Sequence, residues 1–295
     1  MATPILSIVI PTYNHAHFLR AALDSIIAQT FDDWEAIVVN NYSEDDTVAV
    51  VNSYDDARIR LVNFANHGII AAARNYGLSL TQAPCVAFLD SDDYWYPKKL
   101  QVCMDKLAKG YDLVCHAEVW VGPGERRRVV RYGPEARATY ESLLLDGNCI
   151  STSAVIVRRE WLDRTGGFSV EPEFVTAEDY ELWLKLARDG AKIGFVDEVL
   201  GEYLIHEGNQ SRAALRNMQA VMSVFEHHRE SMKGRASATR LRRREAVILY
   251  GGARGLQDSG QCREAWPHFI NAVRRYPWVP RFYVAMLLNA LGRGA

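Results

Sequence analysis

Hydrophobic positions in the first ninety residues alternate between two periods. Ile5–Ile10 is a short β-branched apolar run halted by Pro11, whereas His17–Thr30 carries Phe18, Leu19, Ala22, Leu23, Ile26 and Ile27 at helical spacing. Trp34–Val39, Arg58–Phe64 and Cys85–Leu89 predict further strands. Between them Ser43–Tyr54 and Ile69–Leu80 predict helices, the first with a Ser43-x-x-Asp46 capping box. Strands alternating with helices of this length predict an α/β fold whose mostly parallel, Rossmann-like sheet is flanked by helices. Ligands bind beyond the carboxyl ends of such strands. The polar clusters fall there: Thr12-Tyr13-Asn14, Asn40-Asn41 and Asp90-Ser91-Asp92-Asp93.

From Tyr111 the pattern is less regular. It predicts strands at Leu113–Val121, Val129–Tyr132 and Ser153–Val157, a helix over Ala177–Arg188 and a strand pair across Ile193–Ile205. Beyond Asn209 the spacing is helical in segments near Asn217–Met232, Thr239–Asp258, Arg263–Arg274 and Arg281–Leu291, punctuated by Gly260, Pro277 and Pro280. The expected organisation is a domain over 1–212, with halves at about 1–110 and 111–212, followed by a C-terminal helical extension over 213–295.

The composition of this 295-residue chain, 48% hydrophobic and 24% charged, excludes disordered, collagen-like and disulfide-miniprotein classes. The net charge of -2 hides an asymmetry: residues 1–212 carry 20 basic against 31 acidic side chains, and residues 213–295 carry 14 against 5. Five scattered cysteines form no CxxC pair that would fit a zinc site, and their scatter points to a reducing compartment. No basic leader precedes the first apolar run, and no run approaches the roughly 20 residues that span a bilayer. The expected location is the cytoplasm.

Three carboxylates in the four residues Asp90–Asp93 repel one another on a tight turn unless a cation offsets the repulsion. Oxygen donors of this kind suit Mg²⁺ or Mn²⁺, completed by substrate phosphates. A solvated acidic turn capping the next helix is the competing explanation.

Pro11-Thr12-Tyr13-Asn14, Ser43-Glu44-Asp45-Asp46-Thr47, the segment from Asn66 to Gly77 and Phe88-Leu89-Asp90-Ser91-Asp92-Asp93 occur in one order at consistent intervals. Together they resemble the family 2 inverting nucleotide-sugar glycosyltransferases, over roughly residues 5–211. The resemblance implies a GT-A fold with a nucleotide-sugar-binding half at 1–110 and an acceptor half at 111–212. It also implies that Asp92 contacts the metal, that Asp90 reaches the ribose or a metal-held water, with Ser91 between them, and that Asp93 supports the turn. Pro11, Thr12, Tyr13 and Asn14 would line the base pocket. Arg74 and Asn75 match the family's Arg-Asn pair and would hold a phosphate or base edge, although Arg74 could instead brace Asp90 or Asp92. The second motif departs from the family. Asn40-Asn41-Tyr42-Ser43 stands where Asp-Asp-Gly-Ser is usual, so the uracil-reading carboxylate is replaced by a neutral amide that both accepts and donates.

Val175 to Trp183 resembles the family's Glu-Asp segment, which implies Asp179 as the general base for the acceptor hydroxyl and Glu178 as its support. Thr176-x-x-Asp179 also reads as a capping box, in which Asp179 would return a hydrogen bond to Thr176. His206 follows the last strand where the family often places a Tyr-x-x-His segment, and would serve the metal or the diphosphate. Trp161, Gly166, Gly167 and Phe168 resemble an acceptor-side turn or are simply core.

Arg240, Arg242, Arg243 and Arg244, with Trp278, Phe282, Val284, Met286, Leu287 and Leu291 beyond them, fit three explanations: peripheral contact with the inner membrane face, a solvated helical surface, or a homodimer interface with the acidic body. Nucleic acid is not expected, since no recognition motif accompanies the charge. The expected activity is metal-dependent inverting transfer of a sugar, from a uridine diphosphate sugar foremost, to a hydroxyl of a glycan or lipid-linked glycan in cell-surface polysaccharide synthesis. The competing classes are a catalytically silent nucleotide-sugar-binding or scaffold protein, which Asn40-Asn41 would favour, and a nucleotidyltransferase, whose phosphate loop is missing from the N-terminus.

Overall fold

The computed structural model describes residues 3–206, 208 and 213–292. The first half runs β1 (Leu6–Thr12), α1 (Ala16–Ile27), β2 (Trp34–Asn40), α2 (Thr47–Asn52), β3 (Ile59–Asn63), α3 (Ile70–Ser79), β4 (Cys85–Phe88), β5 (Tyr94–Trp95) and α4 (Lys99–Leu107). The second adds β6 (Leu113–Gly122), β7 (Arg126–Val130), α5 (Tyr140–Asp146), β8 (Val155–Arg158), α6 (Arg159–Thr165), α7 (Glu178–Arg188) and β9 (Ile193–Leu204). Four helices follow: α8 (Ala214–Arg229), α9 (Ala238–Asp258), α10 (Cys262–Arg275) and α11 (Pro280–Ala290).

The strands form one sheet in the order β3-β2-β1-β4-β8-β6-β9-β5, with β7 paired to the outer part of β6. β1 to β4 are mutually parallel, and β8 inserts antiparallel between β4 and β6. β1 is buried throughout, so its alternating side chains feed two cores. Leu6, Ile8 and Ile10 meet Leu19, Leu23 and Ile26 of α1, and Val9 meets Ala71 and Ala73 of α3. α3 lies close because Gly77 has no side chain; a Cβ there would stand 2.5 Å from Val9 Cγ1.

Three local expectations are corrected. β1 continues through Pro11 to Thr12, because Val9 and Pro11 point toward β4 while Thr12 pairs with β2; β4 pairing ends at Val9, so the missing Pro11 N–H deprives no partner. The Ser43 box does not form. α2 begins at Thr47, and Ser43 Oγ accepts from the Asn14 N–H at 2.9 Å. The strand pair across Ile193–Ile205 is a single strand, β9, whose exposed Asp197 and Glu198 are skipped where its register with β6 shifts between His116 and Ala117. A polar bulge imitates a turn in sequence.

The expected boundary at 212 falls among residues 209–212, outside those described. α8 places Ala220, Val224 and Phe225 in the core that β8 and α7 share. The basic cluster of α9 faces the body: Arg240 pairs with Glu141, Arg243 lies 3.9 Å from Asp146, and buried Arg244 donates to Tyr180 Oη. α10 and α11 pack around Ala253, Leu256, Phe269 and Ala285. Tyr283, Val284 and Leu287 on α11, Trp278 just before it and Leu291 just after it are exposed. Among the described residues no helix is long and apolar enough to cross a membrane, and the five cysteines are free.

Candidate active site

The antiparallel pairing of β4 with β8 brings the residues leaving one strand beside those entering the other, and Ser153 Oγ accepts from the Asp90 N–H at 3.1 Å. The acidic turn is thus fixed from below. Asp93 is buried and accepts from the Leu204 N–H at 3.1 Å, which ties the turn to the end of β9. Burial, then the charges of Asp92 and Asp90, push its carboxyl well above the usual range. Asp92 Oδ2 lies 2.8 Å from His206 Nε2. The Gly208 N–H donates to His206 Nδ1, which leaves the ring proton on Nε2 to be donated to Asp92. Burial and the adjacent Asp90 raise Asp92, and the His206 hydrogen bond opposes that rise.

These donors fit a divalent cation. Asp90 and Asp92 are crowded oxygen ligands whose mutual repulsion a cation would relieve, and the cation would be Mn²⁺ or Mg²⁺ in character. His206 orients Asp92 in this arrangement. It joins the donor set only by giving up the Gly208 contact.

Arg74 connects this turn to the second half of the domain. Its buried guanidinium donates from Nη2 to Asp90 Oδ1 at 2.7 Å and from Nη1 to Glu178 Oε1 at 2.8 Å. The two carboxylates keep it charged against the penalty of burial. Both hydrogen bonds go to protein, so Arg74 is a clamp between α3, the acidic turn and the start of α7. Asn75 is likewise engaged: its amide exchanges two hydrogen bonds with the Phe168 backbone, at 2.8 and 3.0 Å. Gly167 permits that contact, since a Cβ there would lie 2.7 Å from Asn75 Oδ1. Phe168 packs edge-on against Phe88 and Trp183, in the core.

The Thr176 capping box does not form. Thr176 has φ +88°, unusual for a β-branched residue, and its N–H donates to Glu178 Oε2 at 2.9 Å. Asp179 instead accepts from Thr152 Oγ1 at 2.8 Å and from the Tyr180 N–H at 2.6 Å. It stays partly exposed. Burial and then the neighbouring Glu178 charge push its carboxyl up to about 6, against the pull of Thr152 and Arg74. A carboxylate that holds a proton this readily is suited to accept one from a hydroxyl near neutral pH.

The loops after β1 and β2 brace each other. Asn14 takes a left-handed conformation and its Oδ1 accepts from the Glu44 N–H at 2.8 Å. Asn40 is buried, donates to Asn63 Oδ1 and accepts from the Ser43 N–H; Asn41 Oδ1 accepts from the Asn66 N–H at 3.0 Å. Both amides therefore shape the loops. Tyr13 is half exposed, and the buried Thr12 Oγ1 has no partner among the described residues.

Around the acidic turn Arg74 joins Asp90 to Glu178, Asp92 meets His206 and Ser91 meets His15, and the Asn14, Asn40, Asn41 and Ser43 group lies at the neighbouring strand ends. Sequence reasoning missed His15, whose Nδ1 lies 2.9 Å from Ser91 Oγ and whose ring is 5.9 Å from that of His206. Burial holds His15 below its ordinary value, with Asp92 opposing. It also missed Thr152 and Ser153. The adjacent hydroxyls just before β8 were the available signal, but only the β4–β8 pairing says what they face.

The family model described as glycosyl transferase family 2 matches residues 7–166. The chain is 31% identical over 193 residues to the UDP-Glc:alpha-D-GlcNAc-diphosphoundecaprenol beta-1,3-glucosyltransferase WfgD of Escherichia coli, covering 63% of this chain and 70% of WfgD. It is 30% identical over 210 residues to the putative teichuronic acid biosynthesis glycosyltransferase TuaG of Bacillus subtilis, covering 68% and 79% respectively. Two solved structures share the fold: S. aureus TarS 1-349 in complex with UDP-GlcNAc and the mannosyltransferase PcManGT of Pyrobaculum calidifontis in complex with GDP-Man and Mn²⁺. The TM-scores are 0.66 and 0.65 at 21% and 18% identity, covering 97% and 99% of this chain and 86% of each of theirs. Matched by the family model over more than half of its length, the chain belongs to glycosyl transferase family 2 and is a glycosyltransferase of GT-A fold.

Proposed function

We propose that this glycosyltransferase moves a hexosyl group, with inversion, from a uridine diphosphate sugar to a hydroxyl of a lipid-linked glycan during cell-surface polysaccharide assembly. The observation that carries the reading is the Arg74 clamp. One guanidinium joins the carboxylate turn that would face the diphosphate to the helix that begins beside Asp179.

Asp92 and Asp90 would hold Mn²⁺ or Mg²⁺, with His206 orienting Asp92. When bound, the cation would neutralise the diphosphate as the sugar departs. Tyr13, Asn14 and the loop from Asn40 to Ser43 would flank the base. Asp179 accepts the acceptor proton, and Thr152 with the Tyr180 N–H fixes its orientation. Glu178 positions Arg74 and raises the affinity of Asp179 for a proton. The choice of a lipid-linked acceptor is supported by the similarity to WfgD, a glucosyltransferase acting on alpha-D-GlcNAc-diphosphoundecaprenol, and by α11. Val284, Leu287 and Leu291 recur at helical spacing as an exposed apolar stripe, with exposed Trp278 and Arg281 near the start of the helix, which suits an anionic membrane surface.

The test is release of uridine diphosphate from UDP-glucose on adding a diphosphate-linked N-acetylglucosaminyl lipid. Release is expected with Mn²⁺, and should vanish with excess chelator and in the Asp92→Ala variant. Turnover that survives both treatments overturns the reading.

A further inference from the structure

Where α7 meets α8, three metal-ligating side chains outside the acidic turn converge. Glu181, His227 and His228 each offer a donor atom, and these atoms lie within 4.8 Å of one another. Glu181 and His228 are buried, and His227 is exposed.

The hydrogen bonds around His228 decide which nitrogen is available. Ser231 Oγ donates to the His228 carbonyl at 2.6 Å, so it must accept at 2.5 Å from Tyr140 Oη. Tyr140 Oη has then used its proton, and the contact of 3.0 Å to His228 Nδ1 makes Nδ1 the donor. The remaining ring nitrogen, Nε2, is buried with no hydrogen-bond partner among the described residues. It faces Glu181 Oε1 at 3.8 Å. The other oxygen, Oε2, is 3.1 Å from Lys185 Nζ, which leaves Oε1 for what lies between the helices. An imidazole with one N–H fixed by an acceptor and the other nitrogen bare and buried is the arrangement metal-binding histidines adopt.

We infer that Glu181, His227 and His228 form a second cation site, selective for zinc or a similar transition ion. Two imidazoles and one carboxylate suit Zn²⁺ and are poor ligands for Mg²⁺. Tetrahedral donors at zinc distances stand about 3.3 Å apart, so the Glu181–His228 pair is within about half an ångström of that spacing. His227 approaches from the solvent side, and water takes the fourth position. The ion would fasten α8 to α7 two residues beyond Asp179, joining the C-terminal helices to the helix that carries the base.

Zinc is titrated into the full chain carrying Asp92→Ala, which removes one of the two carboxylates proposed for the donor site. The expected result is one bound equivalent and a Tm rise of about 5 °C at a hundredfold excess over the dissociation constant. Adding the surface change His227→Ala should abolish both, and Tyr140→Phe should weaken zinc binding about 10- to 100-fold by freeing the ring. Co²⁺ should give the visible absorption of a tetrahedral ion in the first protein and not in the His227→Ala variant. Zinc binding that ignores His227→Ala, or none at all in the parent, overturns the inference. So does a Tm that follows pH but not zinc, which would mark His228 and Glu181 as a proton-linked ion pair.

Discussion

Replacing Asp179 by Asn removes a charge and keeps the shape. The Asn oxygen can still accept from the Tyr180 N–H, which the carboxylate holds at 2.6 Å, and the Thr152 hydroxyl at 2.8 Å can rotate to accept from the new NH₂ group. Neither partner is left unmade. Keeping the carboxylate ionised opposes burial and Glu178, since its folded value is about 6 against 3.8 for the free side chain. At about 1.4 kcal/mol per unit this is at most about 3 kcal/mol at neutral pH, and less because the partly exposed carboxylate is hydrated. The sign follows from the raised value: the carboxyl's contribution to stability is complete below pH 3.8 and is lost as pH rises through about 6. Asp179→Asn should therefore melt at or above the parent temperature at pH 7, with the two converging toward pH 4. Transfer should fall by at least about 100-fold, because the amide takes no proton. The assays are scanning calorimetry across pH and steady-state transfer at saturating donor, with uridine diphosphate binding as the control. A variant that retains a tenth or more of the parent rate would falsify the assignment of the base.

Glu178→Gln should behave oppositely in stability, losing about 3 kcal/mol as the buried Arg74 loses one of its carboxylates; calorimetry checks this. It should also move the acid limb of the kcat profile below its parental position near pH 6, since Glu178 is the charge that raises Asp179 after burial; an unmoved limb would assign the titration to another group. On α11, Leu287→Asp should abolish flotation with anionic phosphatidylglycerol vesicles and leave transfer to a water-soluble acceptor unchanged. A homodimer in solution that hides this face, with no vesicle binding by the parent, would contradict the membrane assignment.

Much of the fold was legible because burial leaves a periodic record. β1 to β4 and the helices between them were placed within a few residues, since a parallel sheet covered on both faces demands apolar strands and amphipathic helices. The four C-terminal helices were legible for the same reason. The acidic turn was legible because three carboxylates at a strand end are costly without a purpose. The sequence could not separate rival uses of one side chain. Ser43 and Thr176 both read as caps, yet Ser43 braces Asn14 and Thr176 is held by Glu178 in a left-handed conformation. Arg74 read either as a ligand contact or as a brace for Asp90 or Asp92, and Asn75 as a ligand contact; Arg74 bridges Asp90 and Glu178, 16 and 104 residues away, and Asn75 holds the Phe168 backbone. Ile193–Ile205 read as a strand pair and is one strand with a bulge at Asp197 and Glu198. In each case local chemistry permitted two partners, and the choice depended on which distant strand end or helix start the sheet order brought within hydrogen-bond reach. Composition and periodicity by themselves determined which segments are buried and which bear charge; the insertion of β8 between β4 and β6 decided that Thr152 meets Asp179 and Ser153 meets Asp90, because contacts between strand ends follow from topology and not from spacing along the chain.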